Sequence, residues 1–131
     1  RHAGILVGEV LDFAQNDMAL AIIYFSATCY LPDVIEAPYR PDLLGEQKEG
    51  TPIRIGGPSC LAGDVIGDYV PAAPLHPGDR IAFLDQAHYS MVKTNTFNGV
   101  PLPGIALWNS KTDDLHMIRT FGYDDFLGRL S

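Results

Sequence analysis

The sequence predicts a mainly β domain, a β-sandwich or partly closed barrel that ends in a short C-terminal helix. Three observations lead there. Apolar residues come in short runs of strand length, the runs are divided by Gly, Pro, Asn and Asp, and several of them alternate with polar residues. With 13 Gly and 10 Pro among 131 residues, turns are frequent and long helices are scarce.

Taken in order, ILVGEVLDF (5–13) fits a helical stripe about as well as a strand, and a strand is expected. MALAIIYF (18–25) is a continuous apolar run, suited to a strand covered on both faces. APYRPDLLGEQKEGTP (37–52) is one long irregular stretch, a functional or mobile loop or a plain surface excursion. TPIRIG places Ile53 and Ile55 on one side of a strand, and DRIAFLD does the same with Ile81 and Phe83. HPGDR before the latter has Pro77 to preset φ and Gly78 to accept positive φ, which is type II turn chemistry. GIALWNS and LHMIRTF flank KTDD as a hairpin, and YDDFLGRL, acidic at its start and carrying Arg129 near its end, suits a terminal helix.

Length and composition set the bounds. A chain of this size makes one domain and buries roughly two thirds of its unfolded surface. No apolar run approaches the roughly 20 residues of a membrane helix. Net charge is −7 and no basic cluster occurs, so nothing offers the counterion release on which nucleic-acid binding depends. Two cysteines and no charged-then-apolar leader predict free thiols and a cytoplasmic location. The opening RHAGILVGEV enters an apolar element at once without an initiating Met, so the chain is expected to continue upstream in its parent.

Chemistry concentrates in three places. In SATC (26–29), directly after the most apolar run, Cys29 reads as a small core hydrophobe. Asp33 follows it, either as a carboxylate that fixes an amine or as a turn cap. In GGPSCLAGD (56–64), Pro58 restricts Gly57 and Gly63 allows a second turn, so Cys60 is presented on a constrained loop. AHYSMVKTNTFNG (87–99) supplies Tyr89, Lys93, Asn95 and Phe97 before a Gly turn. The four His are scattered and no CxxC pair occurs, which argues against a zinc site or thiol protease.

In this order the three segments resemble the C-terminal Greek-key β domain of the pyridoxal-phosphate-dependent basic amino acid decarboxylases of the alanine racemase fold group. GPSC with Asp64 fits the family's Gly-Pro-x-Cys motif ending in aspartate, and HYSMVKTNTFNG matches its spacing from tyrosine to Phe-Asn-Gly. SATCYLPDVIEAPYRP, GGPSCLAGDVIGDY and MVKTNTFNG are similar to the branch that acts on carboxynorspermidine and carboxyspermidine. The resemblance implies a homodimer with active sites between subunits. It places Cys60 as the proton donor after CO2 loss, Tyr89 at the cofactor phosphate and Asp33 at the distal substrate amine. Asp64 falls on an aspartate paired with a lysine of the partner's barrel, and Phe97 on an aromatic at the pocket and interface. An unperturbed thiol, with pKa about 8.5, is mostly protonated near neutrality and suits a general acid.

Two departures narrow this. Leu61 stands where the ornithine and diaminopimelate enzymes carry an acidic residue after the cysteine, which favours a longer substrate with an apolar stem. The family's Schiff-base lysine lies in an N-terminal barrel, and Lys48, Lys93 and Lys111 do not match it, so this chain by itself is expected to be inactive. Other decarboxylases on the scaffold, or a non-catalytic dimerisation module, are the alternatives.

Overall fold

The computed structural model describes residues 4–15, 17–31, 34, 39–59, 63–87, 91 and 93–128. Five strands form one curled sheet in the order β4-β3-β2-β1-β5, and two more form a separate hairpin. The strands are β1 (Ile5–Gln15), β2 (Ala19–Ile23), β3 (Ile53–Gly56), β4 (Val65–Tyr69), β5 (Arg80–Leu84), β6 (Ile105–Asn109) and β7 (Asp114–Arg119). Two short helices are described, α1 (Ala27–Tyr30) and α2 (Tyr123–Gly128). The mainly β expectation and the terminal helix hold, although Arg129 lies outside the described residues.

The curl begins in β1. Its first half pairs antiparallel with β5 and its second half with β2, with a register shift between Val10 and Asp12 where the strand changes partners. Such a shift bends a strand and raises its local twist. The β1 segment, whose apolar pattern also fitted a helical stripe, is a strand as expected and forms the corner of the sheet. Pro77 and Gly78 sit in the expected turn: Gly78 has φ 92 and Asp79 N–H donates to His76 O at 3.0 Å.

β2 and β3 are parallel, so the chain between them must cross over and return. That connection contains α1 and the long irregular stretch of the sequence. Over its described part the stretch is not a plain surface excursion. Leu43 bridges Phe83 of β5, with Leu44 N–H donating to Ala82 O and Leu84 N–H to Asp42 O, both at 2.9 Å. At the opposite edge Gln47 N–H donates to Val70 O at 2.9 Å, and Tyr69 Oη donates to Pro41 O at 2.6 Å. Residues 39–47 thus join the two free edges, β5 and β4, into a closed ring. Arg40 finishes the seam by stacking 3.8 Å over the Tyr69 ring, donating to Asp68 O and pairing with Glu46.

The core lies inside this ring. Phe25, Phe83 and Tyr69 form a chain of edge-on rings with centroids 5.7 Å apart, and Val10, Ile23, Ile55 and Leu31 fill around them. β2 is central in the sheet, with Ala21 and Ile23 buried and Ala19, Leu20 and Ile22 half-buried, so its second face is only partly covered. Gly8 of β1 is fixed by close approach: a Cβ there would lie 2.2 Å from Cε1 of Phe25. No helix among the described residues is long and apolar enough to cross a membrane.

Candidate functional site

The three segments that carried the sequence reading meet at α1. This helix is only four residues long, and no side chain next to it caps its first turn. Its first N–H must find an acceptor elsewhere. Asp64, 37 positions on, supplies it: Oδ1 accepts Ala27 N–H at 2.7 Å. Oδ2 of the same carboxylate accepts Ser59 N–H at 3.1 Å, and Asp64 O accepts Gly57 N–H at 2.9 Å. Asp64 is buried at 6% exposure, so these charge-assisted bonds act away from water.

Gly57 lets the two backbones close. A Cβ there would stand 2.5 Å from Asp64 Oδ2 and 2.7 Å from both Phe25 O and Ser26 Cα. The GGPS turn therefore needs glycine at this position for close approach.

The other end of α1 grips the third segment. Asn95 N–H donates to Cys29 O at 2.9 Å, and Cys29 Sγ donates weakly to Phe97 O at 3.5 Å. Tyr30 Oη donates to Pro101 O. Between these contacts Phe97–Gly99 forms a single 3-10 turn, with Gly99 at φ 74, in agreement with the expected turn.

Cys29 is fully buried in the core, as its reading as a small hydrophobe required. Burial pushes its thiol up from the ordinary value, against a smaller opposing pull from the Ser26 hydroxyl. Burial also pushes the Tyr30 phenol up from 10.0 to about 12. The folded state then holds a proton that the unfolded chain releases. Stability from this group is intact below pH 10 and declines as pH rises from 10 towards 12. Tyr30→Phe is expected to flatten that alkaline decline, read by thermal melts across the same window, while Tyr69, also raised by burial, leaves a residual slope.

Of the residues singled out in the sequence, Asp64 and Phe97 are thus brought to one helix from opposite sides. Phe97 remains 44% exposed, so its backbone is anchored while its ring stays available to a neighbour. Cys60, Tyr89, Asp33 and Leu61 lie outside the described residues. Tyr30, Gly57 and Asn95 were not given roles from sequence. The signal for them was present in the SATCY, GGPS and KTNTFNG stretches, but only the fold pairs them.

Next to α1 lies an open groove of about 1050 Å³ between the β1/β5 face and the β6–β7 hairpin. Tyr24, Tyr30, Pro101, Leu107 and Trp108 line it, and among the described residues Arg80 is the one charged residue in its wall. A cofactor held as an imine and by its phosphate asks for an inward lysine. Lys48, Lys93 and Lys111 are all exposed and none lines this groove, so the described residues offer no such anchor.

Comparison with known proteins agrees with the sequence resemblance. Residues 2–87 match the family model described as the C-terminal sheet domain of pyridoxal-dependent decarboxylases. The chain is 44% identical to a carboxyaminopropylagmatine decarboxylase of Synechocystis sp., over 98% of this chain and 34% of that protein. It is 39% identical to a carboxynorspermidine/carboxyspermidine decarboxylase of Campylobacter jejuni, over 95% of this chain and 36% of that protein. The crystal structure of a carboxynorspermidine decarboxylase from Campylobacter jejuni, complexed with norspermidine, superposes with a TM-score of 0.88 at 37% identity, over 95% of this chain and 38% of that one. The chain therefore spans about a third of the length of the relatives it matches.

Proposed function

We propose that this chain, which belongs to the pyridoxal-dependent decarboxylases as their C-terminal sheet domain, serves an enzyme that removes CO2 from a long carboxylated polyamine, carboxynorspermidine or carboxyspermidine. Residues 1–131 form that one domain. What supports the reading most directly is the convergence at α1 of residues 57–59, Asp64 and 95–101, which come from the stretches that carry the family resemblance.

Pyridoxal phosphate, anchored by the part of the protein that this chain does not span, supplies the electron sink for loss of CO2. The chain contributes around it. Cys60, next in sequence after the Ser59 that Asp64 holds, delivers a proton to the substrate carbon that has lost CO2. Asp33, two residues past the end of the Leu31 cap of α1, takes the distal ammonium of the substrate. Tyr89 donates towards the cofactor phosphate, and Phe97 closes the pocket wall. Leu61, apolar where shorter substrates meet an acid, lies along the methylene stem. The full-length protein acts as a cytoplasmic homodimer with these groups reaching the partner's site, and the exposed apolar residues Leu107, Trp108 and Met117 are the kind of surface a neighbour covers.

A second reading has its own support. The 44% identity to a carboxyaminopropylagmatine decarboxylase makes a guanidino-ended substrate of similar length a direct competitor. Assays of the full-length protein with carboxynorspermidine, carboxyspermidine, carboxyaminopropylagmatine, diaminopimelate and ornithine separate the cases. One of the first two is expected to give the highest kcat/KM. A guanidino preference establishes the second reading, preference for either short amino acid overturns both, and a parent without the barrel lysine makes the domain a non-catalytic assembly module.

A further inference from the structure

The carboxylate of Asp64 is committed within its own chain. Both of its oxygens accept backbone N–H groups, Oδ1 from Ala27 at 2.7 Å and Oδ2 from Ser59 at 3.1 Å, and its backbone carbonyl accepts a third from Gly57. A carboxylate is acceptor-only and can satisfy two converging donors at once, which neither an amide nor a hydroxyl does with the same geometry. Its surroundings leave no slack, since even a single added carbon at Gly57 would fall 2.5 Å from Oδ2.

What the two donors belong to gives the contact its meaning. Ser59 immediately precedes Cys60, and Ala27 opens the helix whose far end binds Asn95 and Phe97 through Cys29. One buried side chain therefore couples the turn that leads into the cysteine with the helix that holds the Phe-Asn-Gly segment.

We propose that Asp64 is a positioning residue: its carboxylate clasps the 57–59 turn to the first turn of α1, and so sets where Cys60 is presented. This rests on the proposed role of Cys60 for its catalytic consequence, but the clasp itself is a property of the chain. It is separate from an ionic contact to a partner subunit, since each carboxylate oxygen keeps a second lone pair beside the one its backbone donor uses.

The test uses the full-length protein and its Asp64→Asn and Asp64→Ala variants. Asparagine keeps the size but sets an NH2 against one of the two backbone donors. In both variants amide exchange is expected to accelerate in residues 26–30 and 57–59 and to stay unchanged in β1 and β5. Turnover of carboxynorspermidine is expected to fall by about 10- to 10²-fold, the scale of an ångström-sized misplacement. KM stays within a few-fold, and the solvent deuterium isotope effect on kcat rises as proton delivery becomes limiting.

A weakened dimer in sedimentation, with exchange at both segments unchanged, overturns the clasp in favour of the intersubunit ion pair. Unchanged exchange and unchanged kinetics overturn it outright. If neither variant folds, the wild-type protein still decides: protected amides at Ala27 and Ser59 support the clasp, and rapid exchange at either one refutes it. Altered exchange with an unaltered isotope effect leaves the clasp standing and removes the catalytic part, so the two failures are distinguishable.

Discussion

Cys60→Ala in the full-length protein is expected to lower kcat by about 10²- to 10⁴-fold, the range over which a positioned general acid contributes, with KM changed only a few-fold. The asymmetry follows from the proposed role. A thiol that hands over a proton after CO2 has left acts on a later species than the one that sets binding, so its removal raises a barrier without loosening substrate. Cysteine suits this task unperturbed, because near neutral pH most of a thiol with pKa about 8.5 carries its proton. Cys60→Ser provides the comparison, since a hydroxyl keeps the size but gives up a proton far less readily. Steady-state kinetics with identification of the amine product check the prediction. Wild-type turnover with unchanged product would remove Cys60 from the chemistry.

Phe25→Ala is expected to cost about 3–5 kcal/mol of stability, as large-to-small changes at buried aromatics do. Phe25 is 1% exposed, packs edge-on against Phe83 at 5.7 Å and tilts against Tyr30 at the same distance. Gly8 leaves the ring its berth on β1, so no side chain there can swing in to fill the space. The cavity would open between the corner strand and the start of α1, where the surrounding backbone is already fixed by hydrogen bonds and relaxes least. Urea titrations of wild type and variant side by side measure the difference. A loss below about 1 kcal/mol, typical of surface positions, would mean that the ring does not hold the core together. Phe25→Leu, which keeps more of the volume, is expected to lose less.

The sheet was legible where alternation was local. β3, β5 and the β6–β7 hairpin show apolar residues at the spacing and between the turn residues that strands require, and the Pro77–Gly78 turn was readable from two residues. β4 was not, for a specific reason. Between the pairs Ile55↔Gly67 and Gly56↔Val65 the register shifts, which puts one extra residue, Ile66, into β4. Ile66 and Tyr69 are both buried although three positions apart, so period-2 alternation is broken just where it would have given the strand away. α1 was hidden for a different reason. Its stabilising acceptor is Asp64, distant in sequence, while the Ser26 at its N-cap makes no side-chain cap, and four residues are too few to show a helical period. The 37–52 stretch looked like a loop because its pairing is with edges on either side of the sheet, and only the curl brings those edges near. Asp64 and Phe97 were found through motif resemblance, yet their shared attachment to α1 needed the fold.

The parallel pairing of β2 with β3 also dictates how this domain must assemble. Adjacent hairpins can zip up quickly from their turns, but Ala21 and Ile55 meet only after the whole intervening stretch has looped back, an entropic toll collected before any contact rewards it. Topologies rich in such distant pairings fold on millisecond-to-second timescales. Because α1 and the ring-closing residues 39–47 ride on that same loop, docking of the crossover completes the sheet and the α1 corner in one step. A chain interrupted beforehand has a bare β2 flank and an unformed helix, a species prone to stick to its neighbours.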